Sequence, residues 1–391
     1  MKKFLNRIVI FTVMFTFAFS ITAQAEQRKN TTNVELADTA KSAILIERDT
    51  GMVLYEKNAN EKLPPASMTK IMTMLLIMVA IDKGELTFNE KVRASEYAAS
   101  MGGSQIFLEP GEEMTVDEML RGIAIGSGND ASVAMAERIA GSEEAFVEMM
   151  NDKAKELGLK NTLFQNATGL PTENHYSSAH DMAIMAKELL KYEKITKYTS
   201  IYEDYLRQNT DKKFWLVNTN RLDKFYPGVD GLKTGFTNEA KYCLTATAKK
   251  GNMRVIAVVF GAPTPKDRNA QITKMLDYAF SQYQTHPVYK RNHVLGQAKV
   301  SKGKTKEVDI VTSEPISILT KKGASIKDIE KVVKVKEDTK APIKKGDELG
   351  TLIIRQNGKV IVESPLVAKE HVSQASWWEL FKRSFGWFTK V

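Results

Sequence analysis

One cysteine in 391 residues, Cys243, rules out an internal disulfide, so stability has to come from packed cores. Cys243 sits in an apolar strand pattern and reads as a small core residue, not a reactive thiol. The five histidines, His175, His180, His286, His293 and His371, show neither HExxH nor paired-ligand spacing, so no metal and no other cofactor is expected. There is no GxxxxGK(S/T) phosphate loop. Internal repeats and low-complexity linkers are missing too, and with 43% hydrophobic residues, 23 Gly and 11 Pro the composition excludes a disordered or collagen-like chain. Beyond the N-terminal segment the longest apolar run is 71–81, too short to cross a bilayer, which takes ~20 residues. It reads as a buried helix.

The N-terminus has a short basic start (Lys2, Lys3, Arg7), an apolar stretch over 8–21, and Ala23 and Ala25 on either side of Gln24. That is the pattern of a secretory signal with an A-x-A cleavage site, so residues 1–25 are expected to be removed and the protein exported. An uncleaved anchor is the alternative, and the short apolar run counts against it. The formal net charge is +9, concentrated late in the chain. Residues 290–370 hold 18 basic and 11 acidic residues, while residues 26–289 carry a net −3. The basic segment has no interleaved aromatics, and an exported protein meets anionic wall polymer or lipid, so no nucleic acid is expected as a partner.

At about 150 residues per domain the length suggests two or three domains. Residues 43–47 and 52–55 are strand-like and joined by Asp49-Thr50-Gly51, a hairpin. Pro64 and Pro65 end the extended chain, and residues 67–81 follow as a helix apolar on nearly every side, which only a central position buries. The pattern stays helical over about 115–190, with Ser142 as an N-cap and Gly158 as a stop after 143–157. Strands return after Gly235. Segments 242–248 and 254–260 flank a turn at Lys249-Lys250-Gly251-Asn252, and a helix over about 269–283 closes the region. Strands at both ends with helices between them predict one α/β domain over residues 26–288 whose sheet uses both ends.

From 289 to 370, short β-branched runs at 307–311, 316–319 and 352–354 alternate with Lys-Gly and Asn-Gly turn signals, predicting a small all-β sandwich domain. Farther on, Trp377, Trp378, Leu380, Phe381, Phe385, Trp387, Phe388 and Val391 map to one half of a helix, and Glu379, Lys382, Arg383, Gly386 and Lys390 to the other. Three tryptophans on one face opposite a basic face describe a helix lying in a membrane interface. Residues 371–391 are therefore read as a peripheral membrane anchor, with a helix packed on the β domain as the alternative.

Three short motifs carry chemistry: Ser67-Met68-Thr69-Lys70, Ser127-Gly128-Asn129 and Lys233-Thr234-Gly235. Each alone is common, but their contexts agree. A spacing of three on the opening turn of a buried helix puts Ser67 and Lys70 on one face, within reach of one another. A hydroxyl needs a base to become a nucleophile, and lysine serves only if its pKa falls. Burial and a neighbouring cation such as Lys233 both lower it. The helix start also favours negative charge beside Ser67 and offers its backbone N–H as an oxyanion donor. Ser127 and Asn129 occupy a Gly-rich break between helical segments, where a turn projects both into a cleft. Lys233-Thr234-Gly235 opens a predicted strand, and the bare Gly235 is expected to let an extended substrate lie against the edge.

Over about 42–268 the chain resembles the serine D-Ala-D-Ala carboxypeptidases, the low-molecular-mass penicillin-binding proteins. The likeness includes Pro64-Pro65-Ala66-Ser67-Met68-Thr69-Lys70, Ser127-Gly128-Asn129-Asp130-Ala131, Leu157-Gly158-Leu159-Lys160-Asn161-Thr162, His175-Tyr176-Ser177-Ser178-Ala179 and Gly231-Leu232-Lys233-Thr234-Gly235. The resemblance implies a transpeptidase/β-lactamase-like domain with an antiparallel sheet, followed by the β domain and a C-terminal anchor on the outer face of the cytoplasmic membrane. It implies Ser67 as the acylated nucleophile, Lys70 as its base and Ser127 as a proton relay. Asn129 would hold the substrate amide, Lys233 with Thr234 would serve the carboxylate and proton network, and Phe236 N–H would be the second oxyanion donor. Arg268 aligns with an arginine that binds the terminal carboxylate, to which its planar fork is suited. Phe236 departs from the His or Thr of some members. The implied partners are a peptidoglycan stem peptide ending in D-Ala-D-Ala and β-lactam antibiotics. Two readings stay open beside it. An active-site-serine β-lactamase shares the motifs, although no Glu-x-x-Leu-Asn follows the second one. A non-catalytic, membrane-tethered scaffold is the other.

Overall fold

The computed structural model describes residues 34–385 apart from Ser325 and Asp338, with side chains described as far as residue 382. The leader read at 1–25 and the terminal Trp387, Phe388 and Val391 lie outside the described residues. The first hairpin pairs β1 (Ser42–Glu47) with β2 (Val53–Lys57). Its turn is closed by the buried Glu47 carboxylate, which accepts from Thr50 N at 2.8 Å and Thr50 Oγ1 at 2.6 Å. Three later strands, β3 (Val229–Thr237), β4 (Lys241–Lys250) and β5 (Met253–Ala262), complete an antiparallel sheet of order β2-β1-β5-β4-β3. Both ends of the domain thus feed one sheet, and β3 is an edge strand.

Both faces of that sheet are covered, which explains why β1 and β5 are apolar almost without alternation. Ile44, Ile46, Ile256, Val258 and Phe260 pack on one side with helix α1 (Lys70–Lys83), whereas Ala43, Leu45, Val255, Ala257 and Val259 meet Ile272, Met275 and Leu276 on the other. Helix α1 buries ten of its 14 residues and ends at Gly84, φ +77°, a left-handed stop. Its start differs from the sequence expectation. Residues Ala66–Thr69 form a 3-10 turn entered through Ala66 at φ +47°, and the α-helix begins at Lys70.

The helical insert contains α2 (Val116–Ala124), closed by a Thr115–Glu118 capping box, α3 (Asn129–Ala140), α4 (Glu143–Glu156) and α5 (Ala179–Leu189). Ser142 caps α4 by accepting from Ala145 N at 3.1 Å, and Gly158 follows at φ +70°, as the sequence indicated. Residues 157–178 are not helical, contrary to the continuous pattern read there. Asn166 Oδ1 accepts from Thr168 N at 3.1 Å and Gly169 N at 2.7 Å, a side-chain turn that takes the place of helical bonding. Helix α6 (Pro265–Gln282) starts earlier than the expected residue 269, because Thr264 accepts from Asp267 N at 3.1 Å and Pro265 fills the first turn.

The chain runs directly from α6 into β6 (Tyr283–Tyr289), which pairs with Ile316–Lys321 in a two-stranded sheet. The β region therefore begins before residue 289. It faces a six-stranded sheet, and Val308, Ile310, Ile316, Ile318, Leu352, Ile354 and Leu366 fill the space between. Lys187 meets Glu314 at 2.8 Å and Arg291 Nη1 donates to Lys191 O at 3.1 Å, tying this layer pair to the helical insert. After Ser376, whose Oγ accepts from Glu379 N at 3.3 Å, helix α7 (Trp377–Phe385) leaves Trp377 72% and Trp378 56% exposed.

Candidate active site

The 3-10 turn, the break before α3 and the middle of β3 converge on a cleft of about 600 Å³ that includes Ser67, Ser127, Thr234, Gly235, Phe236 and Arg268. Ser67 is half-buried at its floor, and Lys70 behind it is 0% exposed. Lys70 Nζ lies 3.3 Å from Ser67 Oγ, 2.6 Å from Asn129 Oδ1 and 2.7 Å from Thr168 O. A neutral amine has two N–H donors and one lone pair. With Asn129 and Thr168 taking the donors, the lone pair is left for the proton of Ser67. Burial first, and the charge of Lys233 second, hold the Lys70 pKa well below the ordinary lysine range, which is the condition for a base.

Ser127 sits in the break with φ +60°, and its hydroxyl, 3% exposed by residue, has no hydrogen-bond partner among the described residues. Asn129, the first residue of α3, donates from Nδ2 to Gly102 O at 2.7 Å while its Oδ1 receives Lys70. Behind them the buried Asp130 carboxylate accepts from Ile106 N and Leu108 N at 3.0 Å each. It thereby fixes the 104–108 segment, whose Ser104 lines the cleft.

Lys233 and Thr234 lie in the middle of β3, not at its beginning. Lys233 is buried, donates to Thr234 O at 3.3 Å, and has its pKa pulled down to about 7 by burial and then by Arg268. Thr234 Oγ1 is 2.5 Å from Thr219 Oγ1. The role expected of Gly235 needs correcting. A Cβ there would come within 2.6 Å of Pro65 O and 3.2 Å of Ala66 Cβ, so the missing side chain seats β3 on the nucleophile turn rather than making room for substrate. Phe236, 49% exposed at the cleft, packs against Tyr242 with ring centroids 4.5 Å apart and planes tilted by 30°. Arg268, on the first turn of α6, is buried along the cleft wall with Nε on Asn269 Oδ1 at 3.0 Å, and burial lowers its pKa to about 10.

Two contributors were not singled out from the sequence. Thr168 acts through its carbonyl, which no side-chain pattern announces. Its loop is clamped by Ala167, whose N donates to Glu143 Oε1 at 2.9 Å and whose O accepts from Thr73 Oγ1 at 2.7 Å. His175 is the other. Its Nδ1 accepts from Gln165 N at 3.1 Å, which places the ring proton on Nε2, 2.8 Å from Thr69 Oγ1. Burial lowers its pKa to about 4, so a neutral imidazole ties this loop to the turn that carries Ser67.

The D-alanyl-D-alanine carboxypeptidase profile matches residues 27–264, more than half of the chain. This chain belongs to that family. The C-terminal domain profile of penicillin-binding protein 5 matches residues 283–374, which agrees with the change from α6 to β6. Among curated relatives, D-alanyl-D-alanine carboxypeptidase DacF of Bacillus subtilis is 67% identical over 390 residues, covering 100% of both chains. DacA of Escherichia coli is 33% identical, over 96% of this chain and 94% of its own. Penicillin-binding protein 5 from Haemophilus influenzae superposes with a TM-score of 0.67 at 30% identity, covering 88% of this chain and 100% of that one. Penicillin-binding protein D2 from Listeria monocytogenes, solved in a cefotaxime-bound form, matches at a TM-score of 0.57 and 31% identity over 64% of this chain and 100% of its own.

Proposed function

We propose that this chain is a serine D-Ala-D-Ala carboxypeptidase that removes the terminal D-alanine of peptidoglycan pentapeptides through an acyl-enzyme on Ser67, and that penicillins acylate the same serine. The observation that carries this reading is Lys70, buried without exposure and poised 3.3 Å from Ser67 Oγ with two fixed acceptors on its remaining donors. An extended peptide lies along the free edge of β3, its carboxylate toward Arg268, Lys233 and Thr234. Ser67 Oγ attacks the penultimate carbonyl as its proton passes to Lys70 Nζ, and the backbone N–H groups of Ser67 and Phe236 receive the oxyanion. When the C–N bond breaks, the leaving amine takes its proton by way of Ser127, whose hydroxyl has no competing partner among the described residues. Water then cleaves the ester and restores the Ser67 proton. Asn129 holds the substrate amide as well as Lys70.

Ser67→Ala should abolish both labelling by a fluorescent penicillin and D-Ala release from a diacylated Lys-D-Ala-D-Ala peptide, with an unchanged far-UV spectrum. A persistent covalent adduct on the variant sinks the assignment. In the wild type a slowly released adduct separates a carboxypeptidase from a β-lactamase.

The same reading makes residues 1–25 a removed secretory signal and places the enzyme on the outer face of the cytoplasmic membrane, held there peripherally by α7. It is supported by the exposed Trp377 and Trp378, whose rings lie 6.4 Å apart and stack with Phe381. No helix among the described residues is long and apolar enough to cross a membrane. Each aromatic transferred from water contributes roughly 1.5–3 kcal/mol, more than the ~1 kcal/mol from each basic residue near anionic lipid. Full-length chain should therefore float with anionic vesicles and stay largely bound at about 1 M salt, where screening is ~3 Å, whereas a chain lacking residues 376–391 should not float. Equal flotation of both, or complete release by salt, overturns the anchor.

A further inference from the structure

A cleft of about 320 Å³ draws its walls from three parts of the chain: Arg48, just after β1, Glu193, Lys194 and Lys197, beyond α5, and Lys249 and Arg254, on either side of the β4–β5 turn. Arg48 N donates to Arg254 O at 2.9 Å, and the 3-10 turn Glu193–Ile195 is seated by Ile195, which is buried in the core. The backbone thus fixes where these side chains start. Five cations face one carboxylate here, in a part of the chain, residues 26–289, whose net charge is −3. A concave wall of one sign focuses its field on ions of the other.

Two of the five are engaged. Arg254 holds Asp230 through Nη1 at 2.6 Å and Nη2 at 2.7 Å, and Arg48 Nε lies 3.0 Å from Asp49 Oδ1. Lys194, Lys197 and Lys249 are exposed and have no ion-pair partner among the described residues. Lys194 instead lies over the Phe88 ring, its Nζ 4.9 Å from the centroid, and with Glu193 it also lines a neighbouring cleft of about 530 Å³. There Arg291 and Lys345 stand 3.9 and 3.7 Å from Asp82, and Lys191 meets Glu188 at 2.7 Å, which leaves the exposed Lys290 without a carboxylate partner among the described residues. Unpaired ammonium groups therefore continue from one cleft into the next through Lys194. We propose that the two clefts form one binding path for a linear polyanion of the phosphodiester kind, whose successive charges meet both clefts in turn. Ammonium groups on flexible stems suit phosphate oxygens as point charges. One isolated phosphate neutralises only one cleft, and a flat lipid surface does not enter a recess. Neither cleft shares a lining residue with the catalytic one, so this path is independent of the carboxypeptidase reading.

The test is fluorescence anisotropy of labelled poly(glycerol phosphate) titrated with the full chain. Lys194→Gln/Lys197→Gln/Lys249→Gln should weaken binding by at least about tenfold, the combined loss expected of three exposed charge pairs. Lys194→Arg/Lys197→Arg/Lys249→Arg should bind within about threefold of the wild type, since contacts to phosphate of this kind depend on charge. Lys302→Gln/Lys306→Gln/Lys359→Gln removes the same charge from exposed lysines of the β region that line neither cleft, and it should bind as the wild type does. Penicillin labelling should be unchanged in every variant, which checks their folding. Raising salt from about 0.1 M to about 1 M shortens screening from ~10 Å to ~3 Å and should release the polymer from the wild type. Absence of binding at the lower salt overturns the path, as does an equal loss in the β-region variant or in the arginine variant. Equal affinity for poly-L-glutamate overturns the phosphodiester class, and displacement of the polymer by inorganic phosphate at equal phosphate concentration reduces the path to a single-ion pocket. Weakened flotation of the glutamine variant of Lys194, Lys197 and Lys249 with anionic vesicles, its polymer binding unchanged, gives these lysines to lipid headgroups and overturns the polymer.

Discussion

Lys70→Arg should lose penicillin acylation almost as completely as Lys70→Ala, by at least about 100-fold, the usual contribution of a positioned general base. Arginine keeps the positive charge but cannot surrender its proton near neutral pH. The geometry adds a second obstacle. Nζ of Lys70 is held between Asn129 Oδ1 and Thr168 O in a slot with no solvent exposure, which a planar guanidinium cannot enter without pushing one of them aside. Lys70 therefore matters for its lone pair, and its depressed pKa, set by burial ahead of the charge of Lys233, makes that lone pair available. Stopped-flow labelling with a fluorescent penicillin decides the point. If Lys70→Arg retains more than about a tenth of the wild-type rate, a loss under ~1.4 kcal/mol, the residue acts mainly as a cation and another group is the base.

What the sequence disclosed follows from how each residue acts. Ser67, Lys70, Ser127 and Lys233 lie in short motifs whose residue types and spacing could be read, Arg268 came only through the family resemblance, and the all-round apolarity of α1 announced a central helix. The start of α6 carried a legible signal in Thr264-Pro265-Lys266-Asp267, a cap followed by proline and an acid, although the helix was expected only from about 269. The second boundary was expected between 288 and 289, yet Tyr283–Tyr289 already pairs with Ile316–Lys321; Pro287 lies in that strand, which has a single partner and whose register shifts just beyond it, which is where a sheet tolerates proline. Other features act through backbone or shape and leave no such trace. The carbonyl of Thr168 could belong to any residue, and the need for glycine at 235 comes from Pro65, distant in sequence. His175 was visible within a motif, but its bond to Thr69 depends on a loop crossing that only the fold provides.

That crossing makes Gly169 the most sensitive neutral position near the site, and Gly169→Ala should damage both stability and acylation. Gly169 has φ +84°, and a Cβ built there falls 1.9 Å from Ala66 O, 2.4 Å from Ala66 C and 2.9 Å from Thr69 Oγ1. Two of these atoms are backbone of the turn that presents Ser67, and they cannot rotate away as a flexible side chain would. The residue before, Thr168, supplies the carbonyl that anchors Lys70. Separating the two chains thus moves nucleophile and base apart together. Left-handed strain of ~1–2 kcal/mol plus overpacking of ~1–3 kcal/mol should lower Tm by roughly 10 °C at ~2–4 °C per kcal/mol, and a displacement of about 1 Å should reduce acylation at 25 °C by about 100-fold. Gly158→Ala is the matched control, because Gly158 has φ +70° but nothing within 4 Å of its Cβ. It should carry the left-handed cost alone, with acylation unchanged. If the two variants melt together and acylate at equal rates, the contact between the 166–170 loop and the Ser67 turn does not set the catalytic geometry.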